Sequence, residues 1–534
     1  MTRVVLLGAS PGPIGSTEPP VPPARLALTS LPGSPTVLGR LYGQLTSMDA
    51  EPLAIARPGD AAEFRAHPGR VVESPDLAGD LRALADAAEQ ATDNLFIIPA
   101  CAVTHDELIY QLTKSKRGAL VLIAKEPREG DNGDGSDNGD NGETAREDSV
   151  PIDEAVPEIG RGVHEGLPVR LRAGRARIVS AGSAYHAVTR PNAVALGPLH
   201  LHQRHAATLA EAARELADMA HLLGPEDDLV QLLVLGLVRR GVAVSLRGRR
   251  DLFYTRVHTQ QDADSAVVAM SGYDEDRARL NNAVKGADGF FTTYFVSTYS
   301  RFIARWAARR GLTPNQVTLI SIALGVLAAL SFATGTRAGA VAGGVLIYFA
   351  FVFDCVDGQV ARYARKFGVL GAWLDATFDR AKEYVVFAGL AVGATVAGQG
   401  DVWTLALVAL ALQSVRHLLD FSFGAANRRK PPAPLPTLDL AVVNDRPLRE
   451  ELTKRKTGKV SPVRSLLRLW AQAGRFRTVH WARKMIVFPI GERFAVIAIT
   501  AALFEPRVTF LTLLIWGGVA ALYTLTGRLT RSLA

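Results

Sequence analysis

Between Asp354 and Asp379 the chain reads DCVDGQVARYARKFGVLGAWLDATFD, which places four carboxylates, Asp354, Asp357, Asp375 and Asp379, in one short segment. Apolar stretches long enough to cross a bilayer flank it. Acidic side chains at membrane depth are costly and are usually kept for function. Asp354 and Asp357 are three apart, and Asp375 and Asp379 four apart, so on helices each pair shares one face. Two such helices joined by a short connection bring the four carboxylates together. Hard oxygen ligands at that density suit magnesium or manganese rather than zinc, and no cysteine–histidine set competes. Two such ions would clamp a diphosphate and stabilise a leaving phosphate. Gly358, Ala361 and Gly371 are small enough to let a ligand approach the backbone, and Arg362 offers a forked cation to phosphate oxygens. The plainer reading, two helix ends with solvated acids, leaves the spacing unexplained.

That spacing is D-x-x-D-G-x-x-A-R, eight residues, then G-x-x-x-D-x-x-x-D, at a membrane boundary. It resembles the signature of the CDP-alcohol phosphotransferase family with every fixed position present, and the resemblance covers roughly residues 290–534. It implies six membrane spans, a cytoplasmic-side site and transfer of a phospho-alcohol (phosphatidyl) group from a CDP-alcohol to an acceptor hydroxyl with release of CMP. By the family pattern Asp354, Asp357, Asp375 and Asp379 bind two Mg2+ (or Mn2+) ions, and Asp379 also takes the acceptor's proton. Gly358, Ala361, Arg362 and Gly371 line the CDP site. Thr313-Pro314-Asn315-x-x-Thr318 resembles the family's entry to the first span, with Asn315 and Thr318 near the nucleotide. Lys484–Arg493 (KMIVFPIGER) resembles the stretch that holds the acceptor phosphate in members using inositol phosphate. Arg416, a charge inside an apolar segment, is a further acceptor candidate beside Lys484 and Arg493; snorkelling at helix ends is the plain alternative for all three. A homodimer is suggested by the family alone.

The elements that must position these residues follow from hydropathy. Apolar segments at Val317–Thr334, Ala338–Phe353, Ala381–Ala397, Val402–Leu419, Phe494–Phe504 and Val508–Leu525 give an expectation of six spans. Phe295–Arg310 is amphipathic and basic, as expected of an interfacial helix. The connections after spans one, three and five carry few basic residues. Arg301–Arg310, Arg362–Lys366, Arg428–Lys484 and Arg528–Arg531 lie on the other side, which positive-inside bias makes cytoplasmic, together with both termini and the carboxylates. The long basic connection could also hold anionic headgroups. The chain has 534 residues, a net charge of +8 and two cysteines. The length implies two or more domains, and Cys101 and Cys355 give no disulfide framework. A nucleic-acid partner is not expected, since no docking motif accompanies the basic residues.

Residues 1–275 alternate short apolar runs with helical patterns, the sign of an α/β layer with a mainly parallel sheet. Strands are expected at Arg3–Leu7, Asn94–Pro99, Ala119–Ala124, Val169–Leu171, Ala176–Val179 and Val242–Leu246. Helices are expected at Thr36–Ser47, Ala78–Ala91, Ala206–Leu223 and Leu229–Arg239. An acidic Gly/Asn-rich tract at 126–158 reads as a disordered loop; its repeats are not in register for a calcium loop. Leu199–His205, with three histidines, reads as a strand-to-helix junction with exposed histidines rather than a metal site. The region resembles sugar nucleotidyltransferases, through Val4–Gly8, LPGSPTVLGRLYGQL, NLFIIP and VHTQQDADSA, as in the fused di-myo-inositol phosphate phosphate synthases that carry a cytidylyltransferase. The resemblance fails where chemistry would sit. GASPGPIGS lacks the expected Arg, no Pro-Lys follows although Arg25 stands near that place, and the strand that should end in a metal-binding Asp runs into Pro99-Ala100-Cys101. A non-catalytic regulatory or docking module is the resulting expectation.

Three rivals accompany this reading. One uses a soluble CDP-alcohol such as CDP-inositol in place of CDP-diacylglycerol. A second is a divalent-cation transporter, which would want its acids mid-span rather than at one face beside Arg362. The third, a dead scaffold, is at odds with the intact signature.

Overall fold

The computed structural model of the chain describes residues 2–9, 20–28, 36–125, 170–174, 177–224, 227–248, 252–286, 288–428, 435–457, 474 and 476–533. The acidic tract at 126–158 and most of GASPGPIGS lie outside these residues. Two compact units are present. One comprises Met1–Gly139, Pro151–Glu275 and Ala433–Lys459; the other comprises Asp140–Val150, Asp276–Pro432 and Val460–Ala534.

The strands of the first unit are β1 (Thr2–Leu7), β2 (Leu53–Ala56), β3 (Arg70–Glu73), β4 (Asn94–Pro99), β5 (Ala102–Thr104), β6 (Ala119–Lys125), β7 (Arg170–Gly174), β8 (Arg177–Ala181), β9 (Ala193–Leu201), β10 (Ser245–Arg247) and β11 (Tyr254–Arg256). Nine form one sheet in the order β3-β2-β1-β4-β9-β6-β10-β8-β7, and β11 pairs with β5. The block β3-β2-β1-β4 is parallel, but β9 enters antiparallel to both β4 and β6. The sheet is therefore mixed, not mainly parallel as the sequence pattern suggested. The reason is local. Gly197 and Pro198 interrupt the apolar run of β9 and hide it as a strand, since proline removes a ladder donor. The structure absorbs them in a register shift: Leu199 pairs with Val121, and the next pair is Ala195 with Ile123. Gly197 has φ +145, and a Cβ there would meet the Tyr254 hydroxyl.

Helices cover the sheet. Leu229–Arg239 is buried along its whole length and forms the middle of the core, as an all-round apolar helix must. Part of the long basic connection, Ala433–Lys459, packs into this unit rather than with the 290–534 region to which sequence assigned it. Leu440 and Leu448 enter the core, and Thr189 Oγ1 donates to Asp445 Oδ1 at 2.6 Å.

The helices of the second unit are numbered separately: α1 (Ser297–Arg309), α2 (Pro314–Ala333), α3 (Arg337–Tyr363), α4 (Val369–Val396), α5 (Trp403–Arg428), α6 (Arg477–Ile486), α7 (Ile490–Leu503) and α8 (Pro506–Leu533). Among the described residues α2, α3, α5 and α8 are each long and apolar enough to cross a membrane. The α6–α7 pair passes the same test jointly but is bent by 73°. That makes four spans, or five with the bent pair as one, against the six expected. The shortfall is α4, whose first half carries Asp375, Asp379, Arg380, Lys382 and Glu383. Large apolar side chains point outward, among them Leu330, Leu407, Leu418, Ile515 and Leu522, as lipid-facing surfaces require. The protein is an integral membrane protein. Close packing comes from small residues: a Cβ on Gly389 or Gly393 of α4 would collide with the carbonyls of Ala329 or Phe332 on α2. The amphipathic α1 buries Ser297, Ser300, Ala304 and Ala307. It leaves Phe302 and Trp306 exposed, with arginine guanidinium groups over both rings.

Candidate active site

The site is assembled where α2 begins, α3 ends and α4 begins. Thr313 caps α2: its Oγ1 accepts from Gln316 N at 3.3 Å while Gln316 Oε1 accepts from Thr313 N at 2.9 Å. Pro314 occupies the first turn, where no amide is missed. The cap fixes the rotation of α2, so that Thr318, four residues on from Pro314, faces inward. Thr318 Oγ1 donates to Asp357 Oδ2 at 2.6 Å. The turn from α3 to α4 is tight, with Arg365 at φ +56 and Lys366 N donating to Ala361 O at 3.0 Å.

One carboxylate oxygen each from Asp354, Asp357 and Asp375 lie within 4.8 Å of one another. Asp379 is not one of the convergent three but adjoins Asp354. Its Oδ1 is 3.2 Å from Lys382 Nζ but otherwise buried without a hydrogen-bond partner among the described residues. The Lys382 ammonium also forms an ion pair with Asp354 and donates to Ser321 Oγ at 2.9 Å. Arg362 lies over Gly358, where a Cβ would be 3.1 Å from its Nη1, and Nε donates to Ala283 O. Gly371 leaves room for Asn315: a Cβ there would lie 2.7 Å from Asn315 Oδ1. The structure thus groups Asn315 with Gly371, Gly358 with Arg362, and Thr318 with Asp357, and Ala361 is half-buried on the same turn as Arg362.

A hard divalent cation fits this donor set. The donors are carboxylate oxygens only, three converge, one buried oxygen is unsatisfied, and the four acids outnumber the cations near them, Lys382, Arg362 and Lys285.

The acceptor candidates have other surroundings. Arg416 Nη2 donates to Val487 O at 2.8 Å, and Arg493 Nη1 to Phe488 O at 3.0 Å, so both reach the bend between α6 and α7. Phe488 holds that bend at φ +54. Arg493 also donates from Nε and Nη2 to the two oxygens of buried Glu383, at 2.9 and 3.2 Å. Lys484 donates instead to Asp288 O at 2.9 Å, and its ammonium lies over Trp481. Sequence reasoning missed Lys382, Ser321 and Glu383. The signal existed: Lys382-Glu383 is a charged pair inside what reads as an apolar span, a rare placement.

In the first unit, Arg25 is paired with Glu63 at 2.7 Å, and Ala100 and Cys101 at the end of β4 are buried. His200 is fully buried in β9, unlike the exposed histidine expected there. Burial lowers its pKa to about 4, so it is neutral.

Comparison with known proteins places this geometry. The CDP-alcohol phosphatidyltransferase family profile matches residues 311–442, which contain all four aspartates but neither Lys484 nor Arg493. Similar curated proteins include a phosphatidylinositol phosphate synthase of Streptomyces avermitilis, 35% identical over 135 residues, 25% of this chain and 50% of that protein. A bifunctional IPC transferase and DIPP synthase of Aquifex aeolicus is 28% identical over 141 residues, 26% of this chain and 30% of that protein. The chain therefore matches no more than half the length of these two relatives. Among solved structures, the inositol-1-phosphate CTP transferase from T. maritima aligns with 51% of this chain and 97% of its own, at 10% identity and TM-score 0.29. The carboxylate trio, its threonine and its arginine all lie inside residues 311–442, the segment that matches the CDP-alcohol phosphatidyltransferase family.

Proposed function

We propose that the protein is a membrane CDP-alcohol phosphotransferase, moving a phospho-alcohol group from a CDP-alcohol to an acceptor hydroxyl and releasing CMP. The observation that carries this is the convergence of Asp354, Asp357 and Asp375 within 4.8 Å, inside the family match. Asp354, Asp357, Asp375 and Asp379 would hold magnesium or manganese, two ions by the family pattern, which when bound offset diphosphate charge and polarise the reacting phosphorus. Asn315, Thr318, Gly358, Ala361, Arg362 and Gly371 receive the CDP moiety. Gly358 and Gly371 leave backbone space, and Arg362 pairs with phosphate oxygens. Thr318 holds Asp357 in one rotamer. Asp379 accepts the proton of the acceptor hydroxyl. The acceptor oxygen then bonds to the phosphorus next to the alcohol, and the bond from that phosphorus to the CMP oxygen breaks. Arg416, Lys484 and Arg493 are assigned to an acceptor phosphate, which competes with Glu383 for Arg493.

Six spans are retained in this reading, with α4 as the span whose polar half lines the site. Positive-inside bias supports a cytoplasmic site and cytoplasmic termini, and a homodimer follows the family. The domains are 1–275, a nucleotidyltransferase-like module without catalysis that also takes in Ala433–Lys459, and the remainder of 290–534, the membrane transferase with interfacial helix 295–310. The unmatched chemistry at Pro99-Ala100-Cys101 supports that module's silence. A second reading, with a soluble CDP-inositol donor, is favoured by the bifunctional relative's name.

The test is CMP release by purified protein with magnesium, with CDP-diacylglycerol or CDP-inositol each paired with inositol phosphate, glycerol phosphate and inositol. Release with one donor names the class; no CMP from any pairing sinks the assignment. CTP with sugar or inositol phosphates should yield no pyrophosphate, and robust release would make the first unit an active transferase.

A further inference from the structure

We propose that Lys382 is a resident counter-cation of the carboxylate site, which sets the order in which divalent ions enter it. This rests on the metal-dependent reading above and deepens it. Lys382 is almost wholly buried, with a side-chain exposure of 2%. A lysine in that setting ordinarily extends its stem to reach water. Here the structure provides a seat for it. Gly325 on α2 clears the path of the stem: a Cβ there would lie 3.0 Å from Lys382 Cγ. Ser321, one turn earlier, accepts from Nζ at 2.9 Å and is itself oriented by donating to Ala350 O at 2.8 Å. From this seat the ammonium contacts Asp354 and lies 3.2 Å from Asp379.

The partition of the four acids follows. Asp354, Asp357 and Asp375 form a trio that can share one ion, whereas Asp379 meets that trio at Asp354 and shares the Lys382 ammonium with it. The ammonium supplies one positive charge to acids that would otherwise repel one another across a low-dielectric interior. A first divalent ion has the trio to itself apart from the Lys382–Asp354 contact. A second ion that calls on Asp379 and Asp354 must displace an ammonium from both. Binding is therefore sequential and unequal, with Lys382 as the competitor at the second step. The residue is a positioning residue, and sequence spacing alone calls for two ions without ranking them.

The experiment is Mn2+ titration of the purified protein in detergent, with free Mn2+ read by its electron paramagnetic resonance signal. The wild-type protein should bind one ion tightly and a second at least about tenfold more weakly. Lys382→Met should strengthen the second step more than the first and bring the two closer together. Because Lys382→Met could fail to fold, Ser321→Ala gives a second route. It keeps the charge but removes the hydrogen bond that seats it, and should narrow the gap by a few-fold. Two equal Mn2+ sites in the wild-type protein, or a gap unchanged in both variants, would overturn the proposal while leaving a metal-dependent transferase intact. Absence of any Mn2+ binding would overturn both. CMP release by the same preparations separates these cases.

Discussion

Two buried clusters of charge, one in each unit, differ in their balance. In the first unit Arg256 and Asp228 are 5% and 4% exposed and are paired with each other. Arg256 Nη1 pairs with Asp228 Oδ2, and Nε donates to Leu196 O at 2.7 Å, the carbonyl that the register shift of β9 leaves outside its ladder. Asp228 Oδ1 accepts from Gln231 N at 3.0 Å and so caps Leu229–Arg239. One acid meets one base, and both serve the backbone. In the second unit Asp354, Asp357, Asp375 and Asp379 outnumber the cations that act on them among the described residues, Lys382, Arg362 and Lys285. A balanced buried pair is architecture; an excess of one sign, seated beside a helix junction, is capacity for a ligand of the opposite sign.

The largest effects should separate the two clusters by kind. Asp379→Asn should lower CMP release by roughly 10²- to 10⁴-fold while leaving thermal stability near wild type, because it removes one of several mutually repelling acids. Chelation should abolish release, and added magnesium or manganese should restore it. Asp228→Ala should do the reverse. It strands a buried guanidinium and uncaps a core helix, costing the first unit about 3–5 kcal/mol, read by urea unfolding. If Asp379→Asn unfolded the protein, or Asp228→Ala left stability unchanged, the contrast between the clusters would fail.

The two clusters were also unequally legible. The D-x-x-D and D-x-x-x-D spacings dictate shared helix faces, so a cluster of carboxylates could be expected from residue numbers, but as four rather than the three that converge. Lys382 was legible only as a charge inside an apolar span, because its role depends on Gly325 and Ser321 of another helix, contacts that no local pattern encodes. In the first unit, strands such as Asn94–Pro99 and the helix Leu229–Arg239 were plain from apolar runs. β9 was not, since Gly197 and Pro198 read as breakers until β4 and β6 are seen on either side of it. Without β9 the sheet loses its antiparallel pairings with β4, β6 and β7, which moves the pattern toward a parallel sheet. The return of Ala433–Lys459 to the first unit was equally hidden, because its apolar anchors, Leu440 and Leu448, belong to short apolar runs inside a long basic connection.

A smaller effect sharpens the comparison inside the second unit. Thr318 is a partner of Asp357 and carries no charge. Thr318→Val removes the 2.6 Å hydrogen bond but keeps the shape. CMP release should fall about tenfold, in line with the ~1–2 kcal/mol of a hydrogen bond to a charged group. Thr318→Ser should recover most of it. Equal rates for threonine and valine would mean that Asp357 needs no orientation.

The smallest effect tests the balanced unit by pH. His186 is 2% exposed. Its Nδ1 accepts from Ser183 Oγ at 2.6 Å, and Nε2 donates to Leu440 O at 2.7 Å, tying the Ala433–Lys459 segment to the unit. Burial lowers its pKa from 6.5 to about 4. The unfolded chain therefore takes up this proton first. The contribution of His186 is full above pH 6.5, falls as the pH drops below that value, and levels off near pH 4. Between pH 7.5 and 6 the loss should be roughly 0.8 kcal/mol or less. Other buried histidines, such as His105 and His258, are lowered in the same way, so the informative quantity is a difference. His186→Gln can still donate to Leu440 O and cannot titrate. Urea unfolding of the variant should show a shallower pH dependence than wild type over that interval, by up to this amount. Identical pH dependence would mean that His186 takes up its proton in the folded unit as readily as in the unfolded chain, and that Ala433–Lys459 is held by its other contacts, among them Asp445 with Thr189, Tyr185 with Ala441 O and Arg239 with Asp439 O.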